Sequence, residues 1–149
     1  MADIINNIVG GRYYILELIG RGGSAIVYKA RDIHNGGIYA LKKYITSDPA
    51  NRKRLLEGME RELEVLKNCT HPVLPKIFDL IKIEDAFFLV MEYIDGIDLK
   101  KYVDEYGTLS TKMLVKVMEQ VCSGFYYLHS LSPAIVYRDL KPANIILCK

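Results

Sequence analysis

Three short segments rich in β-branched and aromatic residues follow one another near the start of the chain, and glycine-containing turns separate them. The segments cover residues 13–19, 25–31 and 38–44, and the turns contain GRGG at 20–23 and HNGG at 34–37. Such segments favour strands, and Asn-Gly supplies the positive φ angles that a tight hairpin turn needs. The pattern predicts three consecutive antiparallel strands, and it constrains the fold more than any other feature.

The hydrophobic period then changes to that of a helix. Asp48 followed by Pro49 predicts a helix N-cap and the first helical residue. On this helix Glu62 is expected to lie nearest the edge of the apolar stripe, so that its carboxylate faces the protein. The stripe consists of Leu55, Leu56, Met59, Leu63 and Leu66, and the acids expected to project away from it are Glu57, Glu60 and Glu64.

Two more strands and a second long helix are predicted downstream. The strands cover about 76–83 and 86–91, joined by a polar turn at 84–85, and the sequence DGID at 95–98 is expected to mark a boundary. The helix is predicted from Ser110 to His129. Its apolar face consists of Leu114, Val117, Met118, Val121, Phe125 and Leu128. We therefore expect an α+β fold, with a five-stranded antiparallel sheet and one long helix followed by a mainly helical part.

Charge and cysteine content exclude several classes of protein. The 149 residues carry 20 basic and 18 acidic side chains, so the net charge of +2 gives no general attraction to nucleic acid or to an anionic membrane. No apolar run approaches the roughly 18 residues that a membrane span needs. The three cysteines are widely separated and match no metal-ligand spacing, which favours thiols in a reducing cytoplasm.

The glycine-rich sequence GRGGSA at 20–25 joins two predicted strands. A dinucleotide-binding motif would lead from a strand into a helix, so that fold is excluded. A glycine-rich hairpin can lie over phosphates, because missing Cβ atoms let backbone N–H groups approach an anion. Val27 and Ala40 would then supply apolar contacts for a nucleotide base. The alternative is an ordinary glycine-rich turn.

The sequence YALK at 39–42 places Ala40 and Lys42 on one face of a strand and Lys43 on the other, since side chains alternate. A strand lysine is commonly a solvated edge residue. Beside a glycine-rich loop and a helix that presents Glu62, Lys42 is better explained as a cation held between a carboxylate and phosphate oxygens.

The sequence YRDLKPAN at 137–144 supplies the groups that phosphoryl transfer to an alcohol requires. Asp139 can accept the hydroxyl proton, Lys141 can balance charge on the transferred group, and Asn144 can supply an oxygen ligand for Mg²⁺. The alternative is a polar loop between a helix and a strand.

With these motifs in order, the chain resembles the first part of a eukaryotic-type (Hanks-type) protein serine/threonine kinase domain. The resemblance runs from Tyr13 to the last residue through IGRGGSAIVY, YALK, RELEVL, HPVLP, FLVMEYIDGIDL and YRDLKPANIIL. It implies an N-terminal segment over 1–12, a small lobe with hinge over 13–94, and part of a large lobe over 95–149. It also implies ATP and Mg²⁺ as cofactors and a protein with Ser or Thr acceptors as substrate.

The resemblance assigns roles residue by residue. Asp139 would be the catalytic base, Lys141 would lie near the γ-phosphate, and Asn144 would bind Mg²⁺. Lys42 would contact the α- and β-phosphates and pair with Glu62. The glycine-rich loop would cover the phosphates, and Met91 would be the gatekeeper. Glu92 and Ile94 would bind adenine through their backbone groups, and Asp98 would lie near the ribose. The implied nucleotide contacts are thus Ile19, Gly20, Arg21, Gly22, Gly23, Val27, Ala40, Lys42, Met91, Glu92, Ile94 and Asp98.

The sequence departs from the family pattern at three points. Ala25 replaces the third glycine of the loop, and Tyr137 replaces the usual His before Arg-Asp. No Asp-Phe-Gly or Ala-Pro-Glu occurs, and the printed chain ends five residues after Asn144. The chain is therefore expected to be a truncated kinase domain with little activity alone. Its apolar helix face, expected to be exposed, predicts self-association.

Two other functions remain open. One is a small-molecule kinase of the same fold, which Lys141 and HPVLP argue against. The other is a nucleotide-binding pseudokinase or interaction module, against which the presence of Lys42, Glu62, Asp139 and Asn144 argues.

Overall fold

The computed structural model describes residues 4–23, 25–44, 49–83, 86–137 and 139–148. Within the first helix, the side chains at 49–52, 55, 59, 61 and 62 lie outside this description. The chain forms two compact units. Unit 1 contains the chain up to Thr70 together with Pro75–Tyr93, and unit 2 contains His71–Leu74 and the chain from Ile94 onward.

Unit 1 is built on an antiparallel sheet of six strands in the order β1-β2-β3-β4-β6-β5. Helix α1 (Pro49–Asn68) follows β4 in the chain. The sequence predicted five of these strands, and the sixth, β1, has only two residues and pairs with the start of β2. The strands are β1 (Ile8–Val9), β2 (Tyr13–Arg21), β3 (Ala25–Asp32), β4 (Ile38–Tyr44), β5 (Ile77–Ile83) and β6 (Ala86–Glu92).

The predicted tight turn between β3 and β4 is present. Gly36 has a φ of 73°, and the Asn35 side-chain oxygen accepts a hydrogen bond of 2.8 Å from the N–H of Gly37. The helix begins at Pro49 as predicted, whereas its expected cap, Asp48, lies outside the described residues, as does the turn at 84–85.

One face of the sheet forms the hydrophobic core of unit 1. Alternate residues of β3, β4 and β6 point into it, and the N-terminal residues Ile4 and Ile5 pack against its margin. Burying an aliphatic or aromatic side chain of this size contributes roughly 1.5–3 kcal/mol. The core members are Val9, Tyr13, Ile15, Ile26, Tyr28, Ala30, Leu41, Phe88 and Val90.

An ion pair with a buried carboxylate joins the end of β3 to the segment before β2. The Asp32 side chain is fully buried and that of Arg12 is 43% exposed; Asp32 Oδ2 accepts a hydrogen bond from Arg12 Nε at 2.7 Å and lies 2.6 Å from Nη2. Its Oδ1 accepts the N–H of His34 at 2.8 Å. The Arg12 guanidinium, helped by the N–H of His34, holds the pKa of Asp32 below its ordinary value against the opposing effect of burial.

Unit 2 contains two helices and a small two-stranded sheet. Ser110 caps α3 by accepting the N–H of Met113 at 3.3 Å, so the predicted start of this helix is confirmed. Helix α2 and both strands of the small sheet were not predicted. The elements are β7 (Gly96–Asp98), α2 (Leu99–Tyr106), α3 (Thr111–Ser130), a 3-10 helix (Pro142–Asn144) and β8 (Ile146–Cys148). None of the described helices is long and apolar enough to cross a membrane.

The predicted apolar face of α3 is only partly covered. Val117, Gly124 and Leu128 are buried, whereas Leu114 and Met118 are 45% and 44% exposed. The exposure of Leu114 and Met118 agrees with the expectation for these two positions. Self-association through this face stays a prediction.

Gly124 sets how closely a neighbouring segment approaches α3. An added Cβ at Gly124 would lie 2.8 Å from a methyl carbon of Val73. In the same segment, His71 stacks on Tyr127 at 5.2 Å and its Nε2 lies 3.2 Å from the Ser123 hydroxyl. The absence of a side chain at position 124 thus lets residues 71–74 pack into unit 2.

The Asp32 ion pair predicts a specific loss of stability in acid. Because the folded-state pKa lies below the unfolded value near 3.8, the pair stabilises the fold above that pH and loses its effect as pH falls further. We expect Asp32→Asn to lower the melting temperature at pH 7 by at least about 5 °C. We also expect the difference from the parent chain to shrink below pH 3.8. Asp104→Asn, the same chemical change at an exposed site, is the control, and a difference independent of pH would contradict this account.

The contact between β7 and β8 predicts that position 96 must be glycine. A Cβ there would lie 2.3 Å from the carbonyl oxygen of Leu147, so Gly96→Ala must push the two strands apart. We expect a loss of about 1–3 kcal/mol in unfolding free energy, measured by urea denaturation followed by circular dichroism. Gly58→Ala is the control, because a Cβ on that helical glycine meets none of the described atoms within 4 Å and should not lower the unfolding free energy. A midpoint for Gly96→Ala equal to that of the parent chain would show that the strand contact is unimportant.

Candidate active site

The face of the unit 1 sheet opposite the core carries the predicted nucleotide-contacting residues of the strands. Residues that lie directly opposite each other on antiparallel strands share a face. Val27 lies opposite Lys42, and Ala40 lies opposite Met91. Lys43 lies opposite Phe88 on the core face, with its Nζ 5.6 Å from that ring. The register therefore confirms that the two consecutive lysines face opposite sides of the sheet.

Lys42 lies in a largely apolar part of this second face. Its Nζ is 5.3 Å from the centroid of the Tyr44 ring, and the nearby Ala40 and Leu89 are buried. A cation is attracted to an aromatic face, and reduced hydration strengthens its attraction to an anion. The side chain of Glu62 lies outside the described part of the chain, so the pairing of Lys42 with Glu62 stays a prediction.

The glycine-rich loop shows no internal reason for its glycines. A Cβ added at Gly20 would lie 3.9 Å from the Val27 side chain, and one added at Gly22 would lie 3.6 Å from the Ala25 carbonyl oxygen. A Cβ added at Gly23 would have none of the described atoms within 4 Å. None of the three has a positive φ. Neither packing within the described residues nor backbone conformation therefore requires glycine at these positions. Close approach of a ligand to the backbone would explain why they are glycine.

The residues that flank the glycine-rich loop differ in strand pairing and in exposure. The register of β2 shifts between Leu18 and Gly20, so Ile19 lies in an irregularity without a direct partner on β3. Arg21 lies opposite Ile26 and is exposed. Ala25, which replaces the third family glycine, is buried and belongs to β3, so its methyl group packs in the sheet.

The predicted hinge residues begin where β6 ends. The N–H of Glu92 donates to the Lys76 carbonyl at 2.8 Å, and a Glu92 carboxylate oxygen accepts the N–H of Lys76 at 3.1 Å. These two groups hold β6 against the segment before β5. Ile94, half-buried, follows as the first residue of the second stretch of unit 2.

Asp98, the predicted ribose neighbour, is the N-cap of α2. Its Oδ1 accepts the N–H of Lys101 at 2.9 Å, and its Oδ2 lies 3.3 Å from the Lys101 ammonium group. Its side chain is only 17% exposed. Asp98 thus has a structural task in unit 2 that the sequence reading did not anticipate, although an Asp directly before an amphipathic segment is a typical cap signal.

Asp139, Lys141 and Asn144 form one connected cluster in unit 2. Lys141 Nζ contacts both carboxylate oxygens of Asp139, at 2.9 Å and 2.8 Å. Asn144 Nδ2 donates to the Asp139 carbonyl at 2.7 Å and to its Oδ2 at 3.0 Å. The 3-10 helix, whose last residue is Asn144, brings the amide back to Asp139. The structure therefore brings together the three residues that the sequence predicted for this loop.

This cluster fits a magnesium ligand at Asn144. Both Asp139 atoms that Asn144 contacts are acceptors, so the nitrogen of the carboxamide must face them. Its oxygen, the kind of atom that Mg²⁺ prefers, then lies on the other branch of the same group.

Tyr137 contacts the cluster and was noticed in the sequence only as a replacement for His. Its ring packs on Phe125 with centroids 5.8 Å apart. Burial raises the pKa of the Tyr137 hydroxyl and the charge of Asp139 raises it further, whereas a hydrogen bond with Asn144 acts in the opposite direction. The phenol therefore stays protonated at neutral pH beside Asn144. The periodicity of the sequence carries no signal for this contact.

Comparison with known proteins identifies similar chains. The chain is 37% identical over 144 residues to the serine/threonine-protein kinase PrkC of Bacillus subtilis, covering 97% of this chain and 22% of that protein. It is 31% identical over 143 residues to the probable serine/threonine-protein kinase PknB of Lactococcus lactis, covering 96% of this chain and 22% of that protein. The chain thus spans about a fifth of the length of these two relatives.

Two solved structures have a similar fold. Rad53 residues 1–466, crystallised in complex with AMP-PNP, superposes with a TM-score of 0.78 at 31% identity, over 91% of this chain and 34% of that one. The PknI kinase domain of Mycobacterium tuberculosis superposes with a TM-score of 0.83 at 24% identity, over 99% of this chain and 59% of that one. The second likeness supports the fold alone.

A family model described as the protein kinase domain matches residues 13–149. That match covers every strand of the main sheet except β1, and it includes the glycine-rich loop, Lys42 and the Asp139 cluster. The chain therefore belongs to the protein kinase domain family.

Proposed function

We propose that this chain carries the nucleotide-binding and catalytic-loop parts of a protein serine/threonine kinase, which transfers the γ-phosphate of ATP to a Ser or Thr hydroxyl of a protein. The observation that carries the proposal is the cluster of Asp139, Lys141 and Asn144 on one short loop. The relatives described above are named serine/threonine kinases, which favours a protein substrate over a small alcohol.

In this proposal the unit 2 cluster performs the transfer step. Asp139 orients the acceptor hydroxyl and accepts its proton as the new P–O bond forms. Lys141, already in contact with Asp139, supplies positive charge beside the transferred group. Asn144 contributes its carboxamide oxygen to Mg²⁺, which when bound neutralises phosphate charge.

Unit 1 supplies most of the nucleotide contacts in this proposal. The backbone of Gly20–Gly23 approaches the phosphates, with Ile19 and Arg21 at its margin, and Lys42 binds phosphate oxygens while Glu62 orients it. Val27, Ala40 and Met91 give the adenine ring an apolar surface. The backbone groups of Glu92 and Ile94 bind its polar edge, and Asp98 binds the ribose beside its capping role.

The wider organisation follows the same family assignment. We propose that residues 13–94 act as the small lobe and hinge, and that 95–149 belong to the large lobe. Cytoplasmic location stays a prediction from the widely spaced Cys69, Cys122 and Cys148.

The opposite directions of Lys42 and Lys43 predict different effects on ATP binding. We expect Lys42→Met to weaken binding of Mg-ATP to the 149-residue chain about tenfold or more, because a hydrogen-bonded charge is lost from the phosphate site. Lys43→Met is the matched control on the other face and should change the affinity by less than about twofold. Isothermal titration calorimetry measures both, and equal losses for the two variants would contradict the proposed site.

The role of Asp139 predicts a separation between binding and transfer. In a protein that contains this chain within a whole catalytic domain, we expect Asp139→Asn to lower transfer from labelled ATP to seryl and threonyl residues by at least about 100-fold. Affinity for Mg-ATP should stay close to that of the parent protein. If transfer is absent in both proteins while ATP binds, the chain acts as a nucleotide-binding module instead.

A further inference from the structure

The described apolar side chains of helix α1 are only partly buried. The helix packs chiefly against β5, and none of its described side chains is buried. Leu56, Leu63 and Leu66 are only half-buried, in contrast to the fully covered core on the other face of the sheet. Because these described side chains keep part of their surface in water, polar contacts with β5 can add to the apolar contacts that hold α1 in place.

Two ion pairs connect α1 to β5. Lys82 Nζ on β5 contacts Glu60 Oε1 on α1. Lys67 Nζ on α1 lies 3.5 Å from Asp79 Oδ1 on β5. Sequence analysis expected Glu60 to project away from the protein, so the first contact is a finding of the structure.

The distance along α1 between its two charged residues matches the distance along β5 between their partners. Glu60 and Lys67 are seven residues apart on a helix, which corresponds to about 10.5 Å and returns to nearly the same side. Asp79 and Lys82 are three residues apart on a strand, which corresponds to about 10 Å. The charges also alternate in complementary order, so sliding α1 along β5 would bring like charges together.

One pair lies on the side of the sheet that carries Lys42, whereas in the other pair Asp79 lies opposite Val90, on the core side of the edge strand β5. Lys82 lies opposite Phe87, whereas Lys42 lies opposite Leu89, two residues further along β6. Alternation therefore puts Lys82 and Lys42 on one face. Glu62 lies between Glu60 and Lys67 in the sequence of α1, so the contacts that fix the helix bracket the residue proposed to orient Lys42.

We propose that Glu60, Lys67, Asp79 and Lys82 form an electrostatic clasp that fixes the axial position and rotation of α1 on β5. Because Glu62 lies on α1, these four are positioning residues for Lys42, and this last step depends on the proposed function. Their side chains are between 32% and 51% exposed, so the clasp is screened by salt. The position of α1 therefore responds to ionic strength.

The test reverses the charge of Glu60 and the charge of Lys82, first in single variants and then in a double variant. In the 149-residue chain we expect Lys82→Glu to speed amide hydrogen exchange over residues 56–68 and to weaken Mg-ATP binding by about threefold to fivefold. Glu60→Lys should do the same, and the double variant E60K/K82E should restore both quantities. Lys53→Glu is the control, because this exposed residue of α1 pairs only distantly with Glu57, at 4.0 Å within the same helix.

The two measurements separate the clasp from the proposed function. If the parent chain binds no Mg-ATP, the proposed function fails, while the hydrogen exchange rates still decide whether the clasp exists. Unchanged exchange in Lys82→Glu, or a double variant that exchanges as fast as the single ones, would overturn the clasp. Restored exchange without restored Mg-ATP affinity would show that the clasp holds α1 but does not position Lys42.

Discussion

The alternation of side chains across β3, β4 and β6 is the constraint on which the rest of unit 1 depends. One set of residues, which includes Ile26, Leu41 and Val90, forms the core. The set between them, which includes Val27, Ala40 and Lys42, is thereby placed on the opposite face. A shift of one residue in register would exchange the two sets, at the cost of burying Lys42 and exposing the core. The hydrophobic core therefore fixes which lysine faces the nucleotide in the proposed function.

In unit 2 the proposed catalytic groups come from a single short loop. The contacts of 2.7–3.0 Å that join Asn144 and Lys141 to Asp139 hold the carboxylate between an amide and an ammonium group. Such pre-arranged charge lowers the reorganisation that a transfer step would need. Tyr137 adds a protonated phenol beside Asn144 and packs on Phe125 of α3, so this ring contact joins the loop to α3.

Local sequence patterns predicted the long helices and strands and the loop cluster. They did not predict contacts between residues that are far apart in the chain. The strands around Lys42 and the cap at Ser110 depend on alternation, turn chemistry and capping, which are readable within a few residues. The pairing of Gly96 with Cys148 and the ion pair of Arg12 with Asp32 join residues far apart in the chain and leave no local signal. Periodicity predicted the apolar face of α3, but it does not show how much of that face a neighbour covers: Val117 and Leu128 are buried, whereas Leu114 and Met118 are exposed.

The central claim is that ATP binds the face of the sheet opposite the core, and methyl NMR of the chain with and without Mg-ATP tests it most directly. The account predicts that Mg-ATP shifts the methyl resonances of Val27, Ala40, Leu89 and Met91, which share the face of Lys42. The methyl groups of Ile26, Leu41 and Val90, on the core face, should change much less. Larger shifts on the core face, or no shift on either face at saturating Mg-ATP, would contradict the account.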